Sequence, residues 1–282
     1  KGLLDPKVDF VFKNIFGSPN HPEILISFLN ATLKAKKKIV NVDIKKTDIE
    51  KQYIEDKYSR LDVKATTSND EIINIEIQLK NENNMVKRSL YYLSKMYEEQ
   101  LNEKEDYSKL VRTVCINILN FKYLKTDNFH TGYRFKEIES NEELTDIMEV
   151  HFIEIPKLQD SSDEKDMLVA WTEFLKDPES EKVRGLELSI EEIRQAKDEL
   201  IRMSNDSTQR ELYDMRANSL RDKMSELNAA ERKGIEKGRE EGREEGRKEE
   251  KIKIARNMKL SGLDTNTIAK ITNLSEDEID KL

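Results

Sequence analysis

Apolar and polar residues alternate most regularly between Arg60 and Lys80. Leu61, Val63 and Ala65 interleave with Arg60, Asp62 and Lys64, and further on Ile73, Ile75, Ile77 and Leu79 interleave with Asn74, Glu76, Gln78 and Lys80. A period of two predicts two β-strands, each with one apolar face, joined by a polar turn. Around this hairpin other patterns place other elements. Phe10, Phe12, Ile15 and Phe16, between Pro6 and Gly17, predict a short helix. Ile24, Leu25, Phe28, Leu29 and Leu33 recur at helical spacing and predict an amphipathic helix over 22–33. A basic run, Lys34 to Lys38, leads into a strand over 39–44. After the hairpin, a helix over 86–101 presents Leu90, Leu93, Met96 and Tyr97 as its core stripe, and the nearly continuous apolar run from Leu110 to Phe121 predicts a strand buried on both faces. Two more strands are expected over 133–138 and 149–155, with Pro156 as a stop. Strand, hairpin, helix, buried strand is an α/β layout, helices packed on a mixed sheet.

Beyond Asp163 the period becomes helical. Leu168, Trp171, Phe174 and Leu175 mark one segment and Ile190, Ile193, Leu200 and Ile201 the next, with a break at Asp177-Pro178. Trp171 is expected to anchor the core of this helical part. Gly234, Gly238, Gly242 and Gly246 then recur every fourth residue among Glu and Arg. On a helix they form a slowly winding stripe without side chains, at ~1 kcal/mol per glycine relative to alanine. Such a stripe suits either close approach of a partner helix, as in a homo-oligomer, or a solvated connector. In the last thirty residues Gly262 is a stop, Asp264 or Thr265 a cap for a helix carrying Ile268, Ala269 and Ile271, and Ser275 a cap for another with Ile279 and Leu282. That is a helix-turn-helix pattern, which can bind DNA or pack on a partner. Four segments follow: 1–156, an α/β core; 157–230, helical; 231–250, the glycine-repeat helix; and 251–282, the tail.

Composition narrows the class. Charged residues make up 38% of the 282 and apolar residues 36%, so much of the chain is exposed helix. No apolar run approaches the ~20 residues that span a bilayer, and no signal-peptide pattern opens the chain. A soluble, cytoplasmic protein without membrane contact is expected. The net charge of −8 is unevenly spread: residues 1–125 carry 22 Lys and Arg against 18 Asp and Glu, whereas 126–230 carry 14 against 26. The mildly basic first part is compatible with nucleic acid, and the acidic middle is not. The single cysteine, Cys115, reads as a small core residue, and there is no Cys/His cluster of the kind that binds zinc. His21, His130 and His151 are scattered and read as structural.

Acidic residues are depleted in strands, so Asp62 and Glu76 inside two β-prone runs call for a reason. Two carboxylates on adjacent strands can hold a hard divalent cation and leave positions for a phosphate oxygen and a water. Register decides whether they meet. A two-residue loop at Asn69-Asp70 pairs position 62 with 77 and separates them; a three-residue loop over Ser68, Asn69 and Asp70, with a left-handed residue, pairs 62 with 76. The bland reading is an edge hairpin with a solvated charged face. On the following helix Lys87, Arg88, Tyr91 and Lys95 either face the carboxylates or a phosphate backbone, or simply make up a mixed surface. Asp9 and Lys13, four apart, form an ordinary helix ion pair or a secondary site.

DPKVDFVFKNIFG at the start, RLDVKA followed by IEIQLK, the helix KRSLYYLSKMY and the Gly-Arg-Glu-Glu repeat leading into GLDTNTIAKITNLSEDEI together resemble the Rpn (recombination-promoting nuclease) family, PD-(D/E)XK nuclease-family transposases of bacteria. The resemblance implies a restriction-endonuclease-like mixed sheet flanked by helices, followed by a helical C-terminal region. It also implies a metal-dependent DNA endonuclease in recombination, mobile elements or phage defence. By the same resemblance Asp62, Glu76 and the Ile77 carbonyl would hold Mg²⁺, for which Mn²⁺ can substitute. Gln78 stands where the wider superfamily often has Lys, and would orient the water; Lys80 or Lys95 would supply positive charge. Asp9, Lys13, Arg88 and Tyr91 are candidates for substrate contact. The alternatives are a nuclease fold that no longer cuts, kept for DNA binding or oligomerisation, and a nuclease acting on RNA.

Overall fold

The computed structural model describes residues 2–34, 37–45, 63–163 and 165–282. In chain order the first part contains α1 (Asp9–Phe16), α2 (Pro22–Leu33), β1 (Val42–Lys45), β2 (Val63–Thr67), β3 (Ile72–Gln78), α3 (Met85–Glu98), β4 (Thr113–Leu119), β5 (His130–Lys136) and β6 (Glu143–Glu154). Pro22 opens α2 at its first position, as its fixed φ favours. Gly17 closes α1 by donating its N–H to the Lys13 carbonyl, and a Cβ there would come within 2.6 Å of that oxygen. The α1 helix starts at Asp9, not at Pro6, because residues 5–8 make a turn held by the Val8 N–H on the Asp5 carbonyl.

The six strands among the described residues form one sheet in the order β1-β2-β3-β4-β6-β5. The central strands β3, β4 and β6 run parallel, while the β1-β2-β3 meander and the β5 edge are antiparallel. Every residue of β4 is buried, as its unbroken apolar run requires of a strand covered on both faces. On one face α3 packs Met85, Tyr92, Leu93 and Met96 against Cys115, Leu119, Val150 and Phe152. This stripe is turned relative to the expected one: Tyr92 is buried, whereas Leu90 is 49% exposed. The rotation is fixed by Ser89, whose hydroxyl donates to Asn117 Oδ1 in the sheet at 2.9 Å. Cys115 is a buried core residue whose thiol pKa is pushed up by burial.

Four further helices follow: α4 (Met167–Lys176), α5 (Glu181–Ser189), α6 (Glu191–Asn205) and α7 (Ser207–Leu260). Trp171, fully buried, does more than anchor the helical part. Its ring meets Phe16 of α1 edge-on at 5.3 Å and Phe174 at 6.1 Å, and its indole N–H donates to Ser27 of α2 at 3.1 Å. Helices α4 to α6 thus share a core with the N-terminal helices, and the first compact unit runs to Asn218.

The second unit is Ser219–Leu282. Over this stretch α7 carries the four glycines without a break, and a Cβ at any of them would meet nothing within 4 Å. Gly262, at φ +84°, ends the helix region. Two short helices follow, α8 (Thr265–Thr272), capped by Asp264, and α9 (Glu276–Asp280), opened by a capping box between Ser275 and Glu278. Ala255, Ile268, Leu274 and Ile279 are buried together. Lys259 caps the far end of α9, donating to the Ile279 carbonyl at 2.8 Å. No described helix is long and apolar enough to cross a membrane.

Candidate metal and phosphate site

The hairpin takes the odd loop. Val63 lies opposite Ile75, Lys64 opposite Asn74 and Ala65 opposite Ile73, and the turn over Ser68 to Asp70 puts Asp70 at φ +59°. A short polar side chain tolerates that left-handed backbone better than most. The Thr67 N–H donates to the Glu71 carbonyl and the Asp70 N–H to the Thr67 carbonyl. Asp62 itself, with the rest of 46–62, lies outside the described residues.

Strand β3 is buried on both faces, and its polar residues Asn74, Glu76 and Gln78 all turn toward the α3 side. Glu76 is nearly inaccessible, its side chain 2% exposed. Gln78 donates its amide N–H to Glu76 Oε1 at 3.0 Å. From α3, Arg88 donates to the same oxygen through Nε at 2.9 Å and through Nη2, closer still. Asn117 of β4 lies in register beside Glu76. Burial works against the Arg88 charge, but the hydrogen bonds and field of Glu76 outweigh it, and the guanidinium pKa is raised. The Tyr92 ring lies beneath the guanidinium, 5.3 Å from its carbon.

The other candidates are distributed around this point. Lys95 lies seven residues along α3 from Arg88, about 10 Å by helical rise, and pairs with Glu98 and Glu99 of its own neighbourhood. Tyr91 is exposed and meets Tyr92 edge-on. Asp9 accepts the Phe10 N–H at 2.7 Å and lies 3.4 Å from Arg216 of α7; it stands with Lys13 on α1. Gly17, at the end of that helix, abuts Val63, on the sheet face opposite Glu76. The Ile77 carbonyl and Lys80 continue from Glu76 along the same segment.

Do these groups fit a divalent cation? Glu76 offers a carboxylate, and two residues earlier Asn74 Oδ1 is a buried acceptor without a hydrogen-bond donor among the described residues. Hard oxygens of this kind suit Mg²⁺ or Mn²⁺, so the donor chemistry fits. Among the described residues there is no group of three His, Cys, Asp or Glu side chains able to hold a metal.

Sequence reading missed a second polar centre, on the opposite sheet face. Glu149 is 3% exposed and accepts from Arg112 Nη2 at 2.7 Å, Arg134 Nε at 2.6 Å and, closer, His151 Nε2. Arg112 also pairs with Glu71, whose second oxygen accepts from the Thr67 hydroxyl at 2.9 Å. His151 in turn meets His130 at 2.9 Å, the rings stacked at 5.1 Å. The two histidines are not scattered, because the antiparallel pairing of β5 with β6 brings them together; Gly132, opposite His151, leaves the room a Cβ would fill at 3.0 Å. The one available signal was Glu149 and His151 two apart on a strand, hence on one face.

Burial would raise the Glu149 pKa, but hydrogen bonds from His151, Arg112 and Arg134 reverse this and hold it at about 2. Burial, with His151 beside it, holds His130 at about 4, below its ordinary 6.5. Both depressed values act in one direction. Each group contributes stability above its unfolded pKa that is lost as the pH falls toward the folded one. For His130 that window is 6.5 to about 4 and for Glu149 4.5 to about 2. The urea midpoint is expected to drop between pH 7 and pH 5, with about 2 kcal/mol from His130. In His130→Gln that limb should flatten; an unchanged profile would show that the imidazole is protonated in the folded protein as readily as in solution.

Two family models match the chain: "PD-(D/E)XK nuclease family transposase" over residues 6–230, and "Rpn/YhgA-like nuclease family, C-terminal HTH domain" over residues 248–282. No curated protein and no solved structure matches.

Proposed function

We propose, from the premise that the chain belongs to the PD-(D/E)XK nuclease family transposases, that it hydrolyses DNA phosphodiester bonds with the help of a divalent cation, Mg²⁺ or Mn²⁺. The mixed six-stranded sheet flanked by helices is the restriction-endonuclease-like fold of that family. The observation that carries the reading is Glu76, a carboxylate buried on a central strand with Gln78 and Arg88 gathered on it. Apolar strands do not bury such a group without a counter-charge.

In this reading Asp62, Glu76 and the Ile77 carbonyl hold the cation. When bound, the cation polarises the phosphate and makes a water more acidic. Gln78, already within hydrogen-bond reach of Glu76, orients the attacking water. Lys80 steadies charge developing on the phosphate; Lys95 can do so only by leaving Glu98 and Glu99. Arg88 and Tyr91 offer contacts to the substrate backbone; Asp9 and Lys13, on α1 behind the other face of the sheet, would make only a separate contact. The C-terminal helix-turn-helix adds a second DNA contact, the glycine-striped helix brings copies of the chain together, and the cellular role is in recombination, mobile elements or phage defence.

The test is relaxation of supercoiled plasmid with Mg²⁺ or Mn²⁺, beside an RNA of similar length. Cleavage of DNA that EDTA abolishes is expected, and Asp62→Asn should slow it by roughly 10²–10⁴-fold. Cleavage unchanged by either would reject the assignment. DNA binding without metal-dependent cutting would favour a fold kept for binding alone, and preferential loss of RNA would redirect the substrate.

A further inference from the structure

The Glu76–Arg88 pair carries a consequence for how metal and substrate bind. Three donors, two from Arg88 and one from Gln78, converge on the single oxygen Oε1 of Glu76. A guanidinium on a carboxylate oxygen and a divalent cation on the same carboxylate carry like charge within a few ångströms, in a place from which water is largely excluded. Each disfavours the other. Glu76 is built into a central strand and cannot move away. Arg88 reaches in from the first turns of α3 on a long side chain that is 21% exposed, so the guanidinium is the group able to leave. Its planar fork matches a phosphate as well as it matches a carboxylate.

We propose that Arg88 exchanges partners: it neutralises Glu76 while the protein is without DNA, and passes to a phosphate oxygen of the substrate as the cation takes its place on Glu76. The inference rests on the proposed phosphodiester chemistry and adds to it that cation and DNA bind cooperatively. Arg88 is a positioning residue for the metal and a contact for the substrate. Its charge keeps divalent cations off the buried carboxylate until a polyanion is present.

The experiment is calorimetric titration of the full-length protein with Mn²⁺ at pH 8, with and without a short duplex whose linkages are phosphorothioates. Without DNA, Arg88→Met is expected to bind Mn²⁺ about 10-fold or more tighter than the unaltered protein, within the usual range of couplings between sites. Arg88→Gln, which keeps a donor for Glu76 but no charge, should shift in the same direction and serves if the Met variant fails to fold. Arg88→Lys, which keeps the charge, should stay near the unaltered protein. The duplex should tighten Mn²⁺ binding to the unaltered protein by a larger factor than in the Met or Gln variants, where only the phosphate's own contact with the cation remains. Equal or weaker Mn²⁺ binding by those variants overturns the exchange and leaves the metal site standing. Failure of every form to bind Mn²⁺, with and without DNA, removes the metal site and the exchange with it.

Discussion

Glu76→Gln is expected to lower metal-dependent cleavage by roughly three orders of magnitude, as loss of a key electrostatic group commonly does, while the protein stays folded. The two side chains have nearly the same shape. Glutamine can keep an oxygen for Arg88 Nε and Nη2 and for the Gln78 amide, all of which now meet Oε1. What it removes is the negative charge, and with it most of the attraction for a hard cation. Neutralising one partner of a buried pair costs stability too, about 1–3 kcal/mol for a charge-assisted bond reduced to a neutral one. That loss should be visible as a lower melting temperature but should leave the fold intact at 25 °C. Plasmid relaxation rates and melting curves on the same preparation separate the two effects. A Gln variant that cuts within about threefold of the unaltered protein would mean that the reaction does not pass through this carboxylate. Alanine is a poorer choice, because it would leave the guanidinium in a cavity with no acceptor.

Glu149→Ala should have the largest effect on stability, with no direct effect on chemistry. Its carboxylate satisfies Arg112, Arg134 and His151 at once, and it is 3% exposed. Deleting it leaves His151 without its acceptor and takes one of two carboxylates from each arginine, Arg112 keeping Glu71 and Arg134 keeping Glu143, so the cost is expected toward the lower end of the about 3–5 kcal/mol typical of a broken buried pair. A domain with only about 5–15 kcal/mol to lose is brought near its limit by this. The measurement is the urea midpoint at pH 7, and Glu149→Gln should fall between the Ala variant and the unaltered protein. Glu149 pairs in register with Val114, on the face away from Glu76, so cleavage per folded molecule should not change. A loss below about 1 kcal/mol would show that the network contributes specificity of pairing and little stability.

Much of the fold was legible along the chain because its signals are local. The period of two in 72–78, the unbroken apolar run of 113–119, Pro22 and Ser275 at helix starts and Gly17 and Gly262 at helix ends each act within a few residues, through sterics and hydrogen bonds to near neighbours. The hairpin register was open between two loops. The turn chose the one with Asp70 in the left-handed region, since only that register puts Val63 and Ala65 on the same face as Ile75 and Ile73. The edge pair β5 and β6 was read short, at 133–138 and 149–155, because Tyr133, Phe135 and Leu144 are exposed and the alternation that marks a half-buried strand is weak there.

The candidate site divides in the same way. That Glu76 and Gln78 share a strand face follows from the pleat alone. That the counter-charge is Arg88 follows from the rotation of α3 about its axis, which Ser89 and Tyr92 set by packing on β4 and β6. The cluster of Glu149, His151, His130, Arg112 and Glu71 joins residues up to eighty positions apart, through the lateral order of strands that are not neighbours in sequence. By itself, then, the chain determined which segments are strands and helices and, along each strand, which side chains share a face. Those are consequences of backbone geometry and short-range contacts. Which faces meet, and therefore which charge neutralises which, was decided only when the sheet assembled, because burial imposes its desolvation cost on a group only once another element has covered it.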